Sequence, residues 1–193
     1  MKILGLFRHA KSDWPDFADS GARARDFDRP LSPRGISGAG AMGAHIRDYS
    51  LQNKQRWDRV IASPAVRSAQ TIEIAAAGSA TDEAVSYAIN WDRRIYLASS
   101  ATLLDLLREQ DDRHASILMV GHNPGLEDVI FDLVADDGTS PLRDVVEEKF
   151  PTAAFAVLHI PVEKWADLRD GSAALVHLMR PRDLDTALGP VLL

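Results

Sequence analysis

Three short runs of unbroken apolar residues constrain this chain more than any other feature: Ile3-Leu4-Gly5-Leu6-Phe7, Val60-Ile61-Ala62 and Ile117-Leu118-Met119-Val120. A strand with one face in water alternates apolar and polar residues. A run that is apolar at every position suits a strand covered on both faces, as in a parallel sheet between helical layers. Two later stretches, from Ala153 to Ile160 and from Ala173 to Met179, read as further strands. Between the runs, Ile36, Ala39, Met42 or Gly43, Ile46 and Tyr49 recur at helical spacing, as do Leu103, Leu106 and Leu107. Strands that alternate with helices predict an α/β fold: a three-layer, doubly wound, mostly parallel sheet with helices on both faces and right-handed crossovers. No repeat, low-complexity tract or linker divides the 193 residues, so one domain over 1–193 is expected.

Three helix starts share one device, a polar residue followed by proline: Ser32-Pro33, Ser63-Pro64 and Asn123-Pro124. Ser or Asn is expected to cap free amides, and Pro fits the first helical position because its missing N–H costs nothing there. Two of these starts directly follow strands, at Ala62 and Gly121. Two stretches lack regular pattern: Lys11 to Pro30, and Asp136 to Thr152 apart from a short helix around Val145 to Lys149. Irregular segments of this length in a compact domain are usually functional or mobile.

Composition removes whole classes of function. The chain has no cysteine, which excludes disulfides, thiolate metal sites and a cysteine nucleophile. Its 22 basic and 28 acidic residues give a net charge of −6, against a general nucleic-acid binder. No apolar run is long enough to span a membrane, and the N-terminus carries no hydrophobic segment of signal-peptide length, so a cytoplasmic protein is expected. Neither a phosphate-binding G-x-x-x-x-G-K-[ST] loop nor an H-E-x-x-H zinc motif occurs.

The chemistry-bearing residues follow the first three apolar runs. Arg8 and His9 come after Phe7. Ser63, Pro64 and, one turn further, Arg67 come after Ala62. Gly121, His122 and Asn123 come after Val120. Ligands bind at the carboxyl edge of such sheets. Arg8, His9, Arg67 and His122 would converge there beside two helix N-termini, which favour an anion. Phosphate is the natural partner, since arginine pairs with its oxygens in bidentate fashion. His45, His114, His159 and His177 have no neighbouring motif and read as structural or surface residues.

At these residues the chain resembles the histidine phosphatase (phosphoglycerate-mutase-like) superfamily. Leu6-Phe7-Arg8-His9-Ala10 is similar to its Arg-His-Gly signature, with Ala10 in place of Gly. The stretch from Ser63 to Thr71 resembles its second arginine motif, and Gly121-His122-Asn123-Pro124 its second histidine motif. The stretches from Arg8 to Trp14, Asp28 to Gly35, Val120 to Glu127 and Phe150 to Ala154 resemble the SixA-type phosphohistidine phosphatases. The likeness spans about residues 2–180. It implies a phosphoglycerate-mutase-like fold and a two-step phosphoryl transfer without metal or cofactor. His9 would be the nucleophile, with Arg8, Arg67 and His122 holding the phosphoryl oxygens. The implied partner is a phosphorylated substrate, a phosphohistidine-bearing protein among the candidates.

Monoesterases of the superfamily place an acidic proton donor between the second arginine and second histidine motifs. That interval holds Asp82, Glu83, Asp92, Asp105, Glu109, Asp111 and Asp112. None stands in the family's context; Asp92 and Glu83 are the two to test. The absence can be weighed. An alkoxide is about as poor a leaving group as hydroxide, with a conjugate acid near ~16; imidazole lies near ~6.5. The gap corresponds to at most about 12 kcal/mol of leaving-group difference, only part of which reaches the barrier. A phosphorylated histidine can depart without an enzyme acid, so the sequence favours a phosphohistidine phosphatase. The competing readings are a small-molecule phosphomonoesterase of the same superfamily and a phosphate-binding regulatory module. A mutase is disfavoured because the sequence shows no added basic cluster for a second phosphate.

Overall fold

The computed structural model describes residues 1–13, 26–77 and 88–189. Its centre is a six-stranded sheet: β1 (Lys2–Arg8), β2 (Arg59–Ala62), β3 (Ile89–Trp91), β4 (Ser116–Gly121), β5 (Phe155–Ile160) and β6 (Ala174–Met179), in the order β3-β2-β4-β1-β5-β6. The first four strands run parallel. β5 lies antiparallel to β1, with Leu6 opposite Ala156, and β6 lies antiparallel to β5. The edge strand β3 begins at Ile89 among the described residues.

The unbroken apolar runs are explained by period-two sorting of side chains onto two covered faces. Leu4, Leu6, Ile117 and Met119 enter one core. Helices α3 (Ser100–Arg108) and α4 (Gly125–Leu133) cover it through Leu103, Leu106, Leu107, Leu126 and Val129. Phe7, Val60, Leu118 and Val120 enter the other core, beneath α1 (Pro33–Gln52) and α2 (Val66–Ala77). This is the three-layer α/β architecture expected from the sequence. Two shorter helices, α5 (Pro141–Glu148) and α6 (Pro181–Leu184), flank the C-terminal strands. α5 begins four residues before the short helix expected around Val145, with Ser140 as its cap and Pro141 in its first turn.

The expected caps fare differently. Ser32 caps α1, its hydroxyl accepting from the Gly35 amide at 3.1 Å, with Pro33 at the first position. The buried stripe of α1 is Gly35, Gly38, Ala39, Met42, Gly43 and Ile46. Ile36 is instead 51% exposed, because the stripe follows the small residues that let α1 approach its neighbours. Asn123 does not cap α4. Its Nδ2 donates to Glu127 Oε2 at 3.0 Å and to the Phe150 carbonyl at 3.1 Å, tying the turn to the segment before β5. Among the described residues no helix is long and apolar enough to cross a membrane.

Candidate active site

The carboxyl ends of β1, β2 and β4 bring Arg8, His9, Arg67 and His122 to one cleft of about 650 Å³. Backbone bonds fix the turn after β1 from three sides. The His9 amide donates to the Gly121 carbonyl, the Ala153 amide donates to the His9 carbonyl, both at 3.0 Å, and the Ala10 amide donates to Thr71 Oγ1 at 2.9 Å. Thr71 is locked in turn by donating to the Arg67 carbonyl at 2.6 Å. Ala10, where the superfamily signature has glycine, is fully buried in this turn.

His9 is 7% exposed. Its Nδ1 lies 2.8 Å from the Ala10 carbonyl, an oxygen that can only accept, so Nδ1 carries the proton. Nε2 then keeps its lone pair, and the Arg67 Nε–H points at it from 3.4 Å. Burial first, then the charges of Arg67, Arg8 and Arg29, lower the His9 pKa to about 3, so the ring is neutral at physiological pH. His122 is lowered to about 2, by burial and by the same cationic surroundings. The two rings sit 5.0 Å apart. His122 Nε2 meets Ser63 Oγ at 2.9 Å, while its buried Nδ1 has no hydrogen-bond partner. Ser63, expected as a cap, accepts from the Ala65 amide at 3.3 Å and also orients His122.

Arg67 is 2% exposed and is clamped by Asp26, whose carbonyl accepts from Nη1 at 2.6 Å and whose Oδ2 accepts from Nη2 at 3.1 Å. Asp26 Oδ1 pairs with Arg29 at 3.1 Å, and the Tyr96 hydroxyl donates to Oδ2 at 2.6 Å. Burial pushes the Asp26 carboxyl up, but the Tyr96 hydroxyl, Arg67 and Arg29 more than offset it, leaving it below the usual range and ionised. Tyr96 also sets its ring edge-on to His122, with centroids 5.4 Å apart. Arg8 donates from Nη1 to the Phe150 carbonyl at 2.6 Å, while its buried Nε has no acceptor. Sequence reasoning missed Asp26 and Tyr96. Asp26 stands two residues before the Asp28-Arg29-Pro30 stretch, the only nearby signal, and nothing local marks Tyr96.

Among the described residues, none of the candidate proton donors lines the cleft. Asp92 caps the short helical turn Arg93–Ile95, and Arg94 holds it below the usual carboxylate range. Glu109 pairs with Arg94, Asp105 with Arg108, Asp111 with Arg113, and Asp112 accepts from the Trp165 amide. Glu83 and Asp82 lie outside the described residues. Asp26 is the one carboxylate lining the cleft among those described.

The cleft also corrects one expectation directly. Around its inner residues it carries Lys11, Arg34, Lys149, Arg180 and Arg182. A basic cluster is present after all, assembled from positions scattered along the chain. His45 and His177, expected as structural or surface residues, meet with their Nε2 atoms 2.9 Å apart. Among the described residues no group of three or more His, Asp or Glu side chains is placed to hold a metal ion.

Residues 4–87 match the family model of the histidine phosphatase superfamily (branch 1). An uncharacterized protein of Mycobacterium tuberculosis is 36% identical over 176 residues, covering 91% of this chain and 99% of that one. A solved structure titled as a candidate phosphohistidine phosphatase SixA from Nakamurella multipartitia is 26% identical, with a TM-score of 0.72 over 93% of this chain and 96% of its own. A similarly titled structure from Agrobacterium tumefaciens is 26% identical, with a TM-score of 0.71 over 93% and 98%.

Proposed function

The chain belongs to the histidine phosphatase superfamily, and from that premise we propose that His9 Nε2 takes a phosphoryl group from a phosphohistidine-type substrate and passes it to water. The observation that carries this reading is the fixed tautomer of His9. Nδ1–H is committed to the Ala10 carbonyl, so a neutral ring presents the Nε2 lone pair beside a buried guanidinium. Only the neutral imidazole is a nucleophile.

Phosphoryl transfer asks a protein for position and for stabilised charge. Arg67, held by Asp26, and Arg8, held by Phe150, supply fixed cationic donors. His122, neutral, supplies a further, uncharged donor. With Ser63 Oγ–H donating to Nε2, the proton sits on Nδ1, where it can meet a phosphoryl oxygen. In the first step the Nε2–P bond forms as the bond to the leaving group breaks. In the second, water attacks phosphorus and the electron pair of the N–P bond returns to Nε2.

Substrate class follows from the lack of a protonated carboxyl among the described residues of the cleft. The one described cleft carboxylate, Asp26, is ionised and already accepts from Tyr96, Arg67 and Arg29, so it has no proton to give. A leaving group near 6.5 departs without help where an alkoxide near ~16 does not. Phosphohistidine and nitrophenyl phosphate should be hydrolysed well, phosphoserine and sugar phosphates poorly, with Glu83→Gln and Asp92→Asn changing little. Quenching at neutral or alkaline pH should trap phosphate on wild-type protein, and His9→Ala should abolish both label and turnover. Label on His122, or substantial activity in His9→Ala, would give the nucleophile's role to another residue. Because side chains supply the positive charge, activity should survive dialysis against EDTA; restoration by added magnesium or zinc would contradict the mechanism.

A further inference from the structure

We propose that the same cleft also hydrolyses phosphoanhydrides, with the phosphates beyond the transferred one held by the outer cations Lys11, Arg34, Lys149, Arg180 and Arg182. This inference rests on the reading of His9 as nucleophile. It begins from a charge anomaly. The chain is net negative by six, yet eight of the nine charged residues lining the cleft are Arg or Lys. Lys11, Arg34, Lys149 and Arg182 form no ion pair among the described residues. Arg180 is anchored by Asp183, at 2.8 Å through Nε and 3.1 Å through Nη2. Its Nη1 is buried with no hydrogen bond, and a Glu148 carboxylate oxygen lies 4.0 Å away. Inner cations account for one phosphoryl group. The outer ones call for further negative charge on the same ligand, and a phosphate chain carries about one charge per phosphate along its length.

Size and chemistry agree on the class. A cleft of about 650 Å³ falls in the range that encloses a small ligand. A departing phosphate has a second ionisation near ~6, close to imidazole's ~6.5, so it needs no enzyme acid. The outer cations would also stabilise the charge that develops on it. The step balances. The Nε2 lone pair forms a bond to the terminal phosphorus, and the bridging P–O bond breaks with its electron pair left on the bridging oxygen, which departs on the shortened chain. Water then forms the new P–O bond, the N–P pair returns to Nε2, orthophosphate leaves, and one water proton passes to solvent.

The test uses inorganic tripolyphosphate and nitrophenyl phosphate, assayed in EDTA with wild type, Lys149→Ala/Arg182→Ala and His9→Ala. Wild type should release orthophosphate from tripolyphosphate, and His9→Ala should not. The double variant should lower kcat/KM for tripolyphosphate at least tenfold relative to nitrophenyl phosphate, about the loss of one charge-assisted hydrogen bond. Calorimetry on His9→Ala should show tripolyphosphate binding at least tenfold tighter than orthophosphate, with that margin lost when the two outer substitutions are added. Hydrolysis of nitrophenyl phosphate without tripolyphosphate turnover overturns this proposal alone. So does an unchanged ratio in the double variant, or an acidic peptide that competes as well as tripolyphosphate does. Failure of wild type on both substrates overturns the His9 reading with it.

Discussion

Asp26 never touches the atoms that react in the proposed mechanism, yet three site residues depend on it. It fixes Arg67 through two acceptors, pairs with Arg29 and accepts from Tyr96. Asp26→Asn keeps the shape but weakens the charge-assisted bonds, each worth roughly 1.5–3 kcal/mol. Turnover should fall about 10- to 100-fold and vanadate affinity should drop with it. A variant with normal vanadate affinity would show that Arg67 holds its place unaided. His9 permits a sharper test. With its pKa lowered to about 3, the ring stays neutral as pH falls through 6.5, where an ordinary histidine takes up a proton. After correction for substrate ionisation, kcat/KM should show no tenfold-per-unit loss between pH 6.5 and 4.5. Such a loss would mean that His9 titrates normally. The sequence made His9, Arg8, Arg67 and His122 visible because each lies at the end of an apolar strand or within one helical turn beyond it. Asp26 and Tyr96 escaped because their contacts join residues 41 and 70 positions apart.

Close helix packing explains two of the glycines. A Cβ on Gly43 would sit 2.5 Å from the Cα and carbonyl oxygen of Ala75, so α1 and α2 touch backbone to backbone. Gly43→Ala gains up to about 1 kcal/mol of helix propensity and loses about 1–3 kcal/mol to overpacking against atoms that cannot rotate away. The balance predicts a lower Tm in thermal unfolding; an unchanged or higher Tm would show that the two helices can separate without cost. A Cβ on Gly35 would fall 2.0 Å from the Lys11 carbonyl, two residues after His9. Gly35→Ala should therefore lower activity as well as stability, whereas Gly43→Ala should leave the kcat of the folded fraction near wild type. Helix α1 itself was legible from its periodicity and its Ser32-Pro33 start. The role of Asn123 was not: Asn-Pro has the composition of a cap, and only the Glu127 carboxylate and Phe150 carbonyl across the turn draw its amide elsewhere.

At the scale of the molecule, buried neutral histidines link the site to acid stability. His9, His122 and His177 are lowered to about 3, about 2 and about 4, in each case first by burial. In the unfolded chain they take up protons near 6.5. Below that pH the unfolded state binds more protons, so stability is complete above 6.5 and falls as pH drops toward the folded values. For His9 and His122 the slope approaches about 1.4 kcal/mol per pH unit each. Tm should decline from pH 7 to pH 4, and His122→Asn should flatten that decline. An equally steep decline in the variant would place its source in other groups.

The amino-acid sequence by itself determined the covered parallel strands, the alternation that gives the three-layer α/β fold, and the residues at the strand ends. These are local facts: a side-chain period of two or 3.6, a cap beside its proline, a charged residue where a strand stops. The tertiary structure alone decided the environment of those residues. It set the tautomer of His9, the clamp of Asp26 on Arg67, the partner of Ser63 and the cations gathered from Lys11 to Arg182 around one cleft. Each depends on groups brought together by folding and on water removed from between them. No spacing along the chain encodes a distance in space, and no composition encodes which charges are buried beside each other.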